Sequence, residues 1–218
     1  MDKIPKEIKK IIENYIIFKP KTNKELKVAV DLWCENNENA LKLYGHIYNW
    51  NTYLITSMDD LFSYKTNFNE NINNWNVSNV KNMRCTFLYA ESFNKPLSKW
   101  NVSNVQDMRA MFSNAKSFNQ DLSSWDVSNV RIMGSLFRNA HSFNKPLDSW
   151  NLSNISDMGE MFYDASSFNQ SQSINNWKVN FGLGGNIIYI KDMFYGAKNI
   201  NLENVWWTKP HIYEDFYM

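Results

Sequence analysis

The sequence has almost no cysteine. Cys34 and Cys85 stand in unrelated contexts within 218 residues, too few for a disulfide framework and fitting thiols kept reduced. Long apolar runs are missing too. Nothing approaches the roughly 20 residues needed to span a bilayer, so no membrane insertion is expected. The opening "MDKIPKEIKKIIENYIIFKPK" holds no uninterrupted apolar core and no small-residue cleavage site followed by Cys, which argues against export or lipidation and for an intracellular protein. Charge of one sign is lacking as well: 23 basic and 22 acidic residues leave a net charge of +1. Such a chain has no global field to gather nucleic acid, and none is expected as a partner. Histidine is scarce, and His46, His141 and His211 share no metal-ligand spacing. No nucleophile elbow, kinase loop or dinucleotide fingerprint occurs, so neither an enzyme nor a cofactor or metal site is expected.

What is present is aromatic, at 16% of residues, and periodic. Trp50, Trp75, Trp100, Trp125 and Trp150 recur every 25 residues, as do Met58, Met83, Met108, Met133 and Met158. Phe62, Phe87, Phe112, Phe137 and Phe162 keep the same interval, and so do Phe68, Phe93, Phe118, Phe143 and Phe168. Four columns in one register mean an array whose units bury their apolar faces against their neighbours.

Within "SNVQDMRAMFSNA", Val105, Met108, Met111, Phe112 and Ala115 lie at helical spacing, which predicts a short helix of about ten residues per unit. Asn104 is placed to cap it, with Asp107 returning the hydrogen bond. The following "SFNQDLSSW" reads as an extended stretch with a turn. The expected fold class is therefore an α/β repeat solenoid, with parallel extended segments along one side and helices along the other.

Asparagine forms columns of its own: Asn69, Asn94, Asn119, Asn144 and Asn169 after the Phe, and Asn79, Asn104, Asn129 and Asn154 in the Ser-Asn-Val turn. An amide offers a donor and an acceptor, so such columns can satisfy turning backbone and link successive coils. The rival reading makes them ligand hydrogen-bonders, as the Trp column could be a row of sugar-stacking platforms; core packing is favoured for the Trp. The sequons at 76–78, 101–103 and 151–153 fall inside the repeat, where a glycan is expected to disrupt stacking.

The frame W-N/D-V-S-N-V-x-x-M-x-x-M/L-F-x-x-A-x-x-F-N-x-x-L-S-x-W resembles the BspA-like leucine-rich-repeat family in its 25-residue mycoplasma-lipoprotein-type form. The stretch "FKPKTNKELKVAVDLWCENNENALKLYGHIYNW" is similar to the segment that commonly precedes those repeats. The resemblance implies a leucine-rich-repeat-like solenoid and no catalytic residues. Members are mostly surface and adhesion proteins. Chains of this type also occur in large DNA viruses and protists; for a viral member the host cytoplasm or a virion-associated place is implied.

The array needs closed ends. Residues 1–49 read as a helical N-terminal cap, 50–170 as the solenoid, and 171–218 as a degenerate last unit with an aromatic C-terminal cap. In the first segment Ile8, Ile11, Ile12, Tyr15 and Ile16 have helical spacing, and a second helix over residues 23–33 offers Leu26, Val28, Ala29, Leu32 and Trp33. "IPKEIKKIIENYI" also resembles the opening of an F-box, the helical motif that docks on a ubiquitin-ligase adaptor. At the other end Trp177 falls 27 residues after Trp150 (177 − 150 = 27), "GLGG" reads as a surface loop, and Met193 and Phe194 resume a shortened unit.

A partner can read only positions that vary and are exposed. The four arginines, Arg84, Arg109, Arg131 and Arg138, all fall in the predicted helical segments, while Asp157, Glu160 and Asp164 occupy the next copy. This predicts a face basic over the middle units and acidic toward the C-terminus, set against scattered solvated charge. The tail adds Trp206, Trp207, Tyr213 and Phe216, as a cap or as an exposed aromatic patch. The expected function is a non-enzymatic protein-interaction scaffold. An adhesin-like surface protein and an F-box-like substrate adaptor are the alternatives, and self-association is left open.

Overall fold

The computed structural model describes residues 17–180, 188–203 and 205. Successive units lie on one another in register. Parallel bridges join Ser57 to Asn82, Asn82 to Asp107, Asp107 to Ile132, Ile132 to Asp157 and Asp157 to Tyr189, one column carried through six turns. The short strands β1 (Asn151–Leu152) and β2 (Lys178–Val179) pair in parallel beside it.

The expected helix in each unit is not there. Residues 109–114 are a run of turns, and Ala110 and Asn114 have φ of 52° and 58°. The same two columns are left-handed in every unit: Asp60, Cys85, Ser135, Glu160 and Asp192 with Ala110, and Tyr64, Tyr89, Asn139, Asp164 and Gly196 with Asn114. Hydrogen bonding gives the reason. The amides of Met108, Ala110, Phe112 and Asn114 run along the stack to the carbonyls of Ile132, Gly134, Leu136 and Arg138, at 2.7–2.9 Å. The amides of Met111, Ser113 and Ala115 close turns within the unit onto Met108, Ala110 and Phe112. Arg109 N–H donates to Asp107 Oδ1 at 2.9 Å. Every amide from Met108 to Ala115 is thus bonded, half of them to the next unit. A ten-residue helix is marginal in water and would leave its first four N–H groups unpaired. A left-handed non-glycine residue costs about 1–2 kcal/mol, and the fully paired ladder offsets that.

The ladder also lies elsewhere than expected. It runs through the start of the segment read as helical, and "SFNQDLSSW" forms no strand. Asn104 does not cap a helix either: its Nδ2 donates to Ser78 O at 2.7 Å, in the preceding unit. Asn79, Asn129, Asn154 and Asn180 donate in the same way to Tyr53 O, Ser103 O, Ser128 O and Ser153 O.

The other asparagine column is a direct inter-unit link. The amides of Asn94, Asn119 and Asn144 each donate at 3.0 Å to the side-chain oxygen of the Asn before it, and Asn169 does so at 3.1 Å. Indole N–H groups do comparable work in the interior: Trp75, Trp100, Trp125 and Trp150 donate to Ile47 O, Ile72 O, Leu97 O and Leu122 O at 2.8–3.2 Å. Ser63 Oγ is the single buried side-chain polar atom without a partner among the described residues.

The core is a set of stacked rings. Phe62, Phe87, Phe112, Phe137, Phe162 and Phe194 follow one another at 5.3–5.7 Å. Phe68, Phe93, Phe118, Phe143 and Phe168 do so at 5.8–6.0 Å. All of these except Phe194 are buried, and the Trp column is buried with them. Ile190 takes the Met158 position in the last unit, its neighbour Tyr189 continuing the bridge column.

The N-terminal end is closed by α1 (Asn23–Glu35) and α2 (Asn37–Tyr44). Thr22 caps α1, accepting from Glu25 N–H, while Glu25 accepts from Lys21 N–H. Leu26, Ala29, Val30 and Trp33 are buried; Val28 faces solvent at 53% exposure, and Val30 packs inward instead. Trp33 meets Trp50 edge-on at 5.9 Å. Residues 1–16, with the first predicted helix and the F-box-like stretch, lie outside the described residues. So do residues 181–187, with the "GLGG" loop, and 206–218, with the aromatic tail. Contrary to the expectation for the sequons, Asn76 and Asn101 are exposed on the rim, their Oδ1 atoms held by Ser78 and Ser103, so a substituent there would not enter the stack.

Candidate interaction face

Between the core residues of each unit lie four positions that line one face, 59, 60, 63 and 64 in the first unit and their equivalents beyond; Cys85, Ser113, Asn114, Gly134 and Gly159 among them are buried by their neighbours. The two left-handed columns put these side chains on one face. The units follow one another as Asp59, Asp60, Ser63, Tyr64; then Arg84, Cys85, Leu88, Tyr89; then Arg109, Ala110, Ser113, Asn114; then Gly134, Ser135, Arg138, Asn139; then Gly159, Glu160, Tyr163, Asp164.

The arginines come together here with acids from neighbouring units. Arg84 Nε lies 2.9 Å from Asp59 Oδ1, and its Nη2 3.2 Å from Asp60 Oδ2. The Asp59 carboxylate, bonded and close, holds the guanidinium pKa up. Arg138 pairs with Glu160 and lies over the Tyr163 ring, 4.1 Å from its centroid. Arg109 keeps only Asp107 of its own unit, at 3.5 Å, and is exposed. Arg131 sits earlier in its unit, beside the bridge column, exposed and without an ion pair among the described residues. Three of the four predicted arginines therefore share the face. Two of those three are largely neutralised by acids one unit away, which weakens the expected basic zone. Trp206, Trp207, Tyr213 and Phe216 lie outside the described residues.

Reading the sequence missed the tyrosines. Tyr64 and Tyr89 stack at 4.8 Å with planes 9° apart, and Tyr163 and Tyr195 at 5.0 Å. Tyr64 and Tyr195 are 66% and 62% exposed. The Tyr189 ring lies against Gly159, where a Cβ would come 2.3 Å from it. The signal available was the column spacing of Tyr64 and Tyr89. In the middle units Asn139 Nδ2 donates to Asn114 Oδ1 at 3.0 Å, so the face is polar between its aromatic ends.

Burial is the main cause that pushes the Cys34 thiol up to about 11 and raises the Cys85 thiol as well. Both stay protonated at neutral pH and are poor nucleophiles. Among the described residues no three His, Cys, Asp or Glu side chains converge on a metal position, and no helix is long and apolar enough to cross a membrane. Asp and Ser recur because they build turns: Ser128 donates to Asp126 as Ser78 and Ser103 do to Asn76 and Asn101.

No curated protein and no solved structure matches the chain. One family model does, twice, over residues 34–137 and 121–217. Together the two matches take in the capping helices from Cys34 and every unit, and the chain belongs to that repeat family, described as Mycoplasma protein of unknown function, DUF285.

Proposed function

We propose that the chain is a non-enzymatic protein-interaction scaffold, its repeat a 25-residue form of the BspA-like leucine-rich-repeat type wound as a solenoid. Turns take the side where such a solenoid would carry helices. One observation carries the reading: among acidic and small polar residues, the outward face described above sets Tyr64, Tyr89, Tyr163 and Tyr195 with Arg84, Arg109 and Arg138 and, apart from Lys191, has no lysine. Interface cores are enriched in Tyr and Arg and depleted in Lys, and those two residues dominate binding energy where they are found. The rim carrying the asparagine columns has the opposite composition, with Asn, Ser and Lys, which suits a solvated surface.

The test compares wild-type protein with a variant carrying Tyr64→Ser, Arg109→Glu and Tyr195→Ser. All three side chains are exposed, so the fold is expected to persist. Cross-linking with mass spectrometry should recover a partner that the variant loses by at least about tenfold. Light scattering on the pure protein reports whether that partner is a second copy. A partner held equally by both proteins would remove this face from consideration.

A further inference from the structure

The first unit has no unit before it, and the capping helices cover only part of its edge. Past Lys65 no described residue covers the edge, and a cavity of about 500 Å³ lies between the last turn of α1, at Trp33, Cys34 and Glu35, and residues 64–70. The hydrogen bonds of the later units define what belongs there. Ser92, Ser117 and Ser142 donate their amides to the carbonyls of Thr66, Glu91 and Lys116 in the preceding unit. Four asparagine amides donate to the preceding Asn side chain. The equivalents in the first unit are Asn67 and Asn69, and neither amide has a partner among the described residues. Tyr64 stacks on Tyr89 with one ring face and lines the cavity. Glu35 and Glu70 stand at its wall without an ion pair among the described residues, whereas its one cation, Lys65, is held by Asp31 at 2.9 Å.

We propose that this groove binds an extended, basic, asparagine-bearing peptide of a partner protein, laid down as a partial extra unit ahead of the first. A carbonyl of the peptide accepts from Asn67 N–H, and its asparagine oxygen, three residues further on, accepts from Asn69 N–H. A flat side chain lies on Tyr64, and a cation answers Glu70. This is strand addition applied to a repeat edge: main-chain hydrogen bonds supply affinity, and the side-chain pattern supplies specificity. The surface shares Tyr64 with the tyrosine–arginine face, while the substitutions used below touch no residue of that face, so the two readings are tested apart.

The chain's own sequence offers a probe of the required chemistry. Residues 137–146, "FRNAHSFNKP", carry Asn144, whose side chain accepts from the next unit in the stack. Lys145 in this segment occupies the column that Glu70 holds in the first unit. A fluorescent peptide of this sequence, titrated with the full chain, should bind saturably by anisotropy. Asn144→Leu in the peptide should weaken binding about fivefold, and Glu70→Lys in the protein about tenfold, with a reduced salt dependence. Absence of saturation up to about 1 mM, or a peptide indifferent to Asn144→Leu, overturns the proposal. So do zero-length cross-links joining Glu35 or Glu70 to a lysine of residues 1–16, which would make the occupant the chain's own N-terminal segment. Cross-links to a second copy in an isotopically mixed sample overturn it likewise.

Discussion

Lys27 reaches from α1 to the edge of the first unit and donates to the Asp60 carbonyl at 2.7 Å and to the Leu61 carbonyl at 3.1 Å. One turn earlier, Asn23 Oδ1 accepts from the amides of Thr56 and Ser57; one turn later, Asp31 pairs with Lys65 at 2.9 Å. Residues 23, 27 and 31 form one polar stripe beside the buried stripe of Leu26, Val30 and Trp33. The helix thus covers apolar surface and supplies the groups a preceding unit would have supplied. Lys27→Met keeps the aliphatic stem and leaves two carbonyls without their charged donor, at an expected cost of about 1–2 kcal/mol. Urea denaturation measures it; a cost below about 0.3 kcal/mol would mean that apolar covering alone suffices.

Trp100 is buried, donates to Ile72 O at 3.1 Å, and stacks with Trp125 at 6.5 Å. Trp100→Ala should cost about 3–5 kcal/mol by opening a cavity in mid-stack. Trp100→Phe should cost less, the main loss being the carbonyl's partner. An alanine variant that stays stable but loses sugar binding would restore the platform reading.

Asn119 accepts from Asn144 N–H and donates its own amide to Asn94. Asn119→Asp keeps the acceptor and should be close to neutral. Asn119→Leu removes it and should destabilise by about 0.5–1.5 kcal/mol. Equal stability of the two variants would reduce the column to decoration.

Ala110 separates the turn geometry from a helix by the sign of one substitution. In a helix Ala→Gly costs about 1 kcal/mol. At a φ of 52° glycine relieves the steric cost of Cβ, so Ala110→Gly should be neutral or stabilising by up to about 1 kcal/mol. Clear destabilisation would contradict the left-handed assignment.

Asp126 is held below the ordinary carboxylate range by hydrogen bonds from the Ser128 side chain and amide. Its folded pKa is lowered, so the stability it contributes is present above the unfolded value near 4 and is lost as pH falls through the folded one. Below about pH 4 the melting temperature of Asp126→Asn should therefore fall less steeply than that of the wild type. Asn76 and Asn101 already fill this position in other units, so the variant should fold. Parallel acid profiles for the two proteins would refute the assignment.

The contacts between units were largely legible, because Trp50, Phe62 and Phe68 announce their columns by spacing alone. The asparagine link after the Phe was legible for the same reason. The backbone path was not. Val105, Met108, Met111 and Phe112 satisfy a helical stripe, yet a chain that turns every three or so residues places the same side chains inward. The left-handed column also lacks a recognisable residue type, since Asp60, Cys85, Ala110 and Ser135 share nothing but their place. The arginine face was half legible. Arg84 and Arg138 could be assigned to it, but their neutralising partners Asp59 and Glu160 belong to adjacent units and become neighbours only through the path that was misread.

Each contact column ties a residue to its counterpart one full coil away, so the architecture tolerates changes of length very unevenly. Gain or loss of a whole coil leaves all pairings intact, whereas one stray residue would shear every column past it. The chain contains a worked instance of the remedy. The two surplus residues between Trp150 and Trp177 are taken up around the short helix α3 (Ser171–Asn175), and Trp177 still delivers its indole proton to Leu147 O at 2.8 Å. Residues inserted in this way lengthen one coil and leave the phase of the columns unchanged.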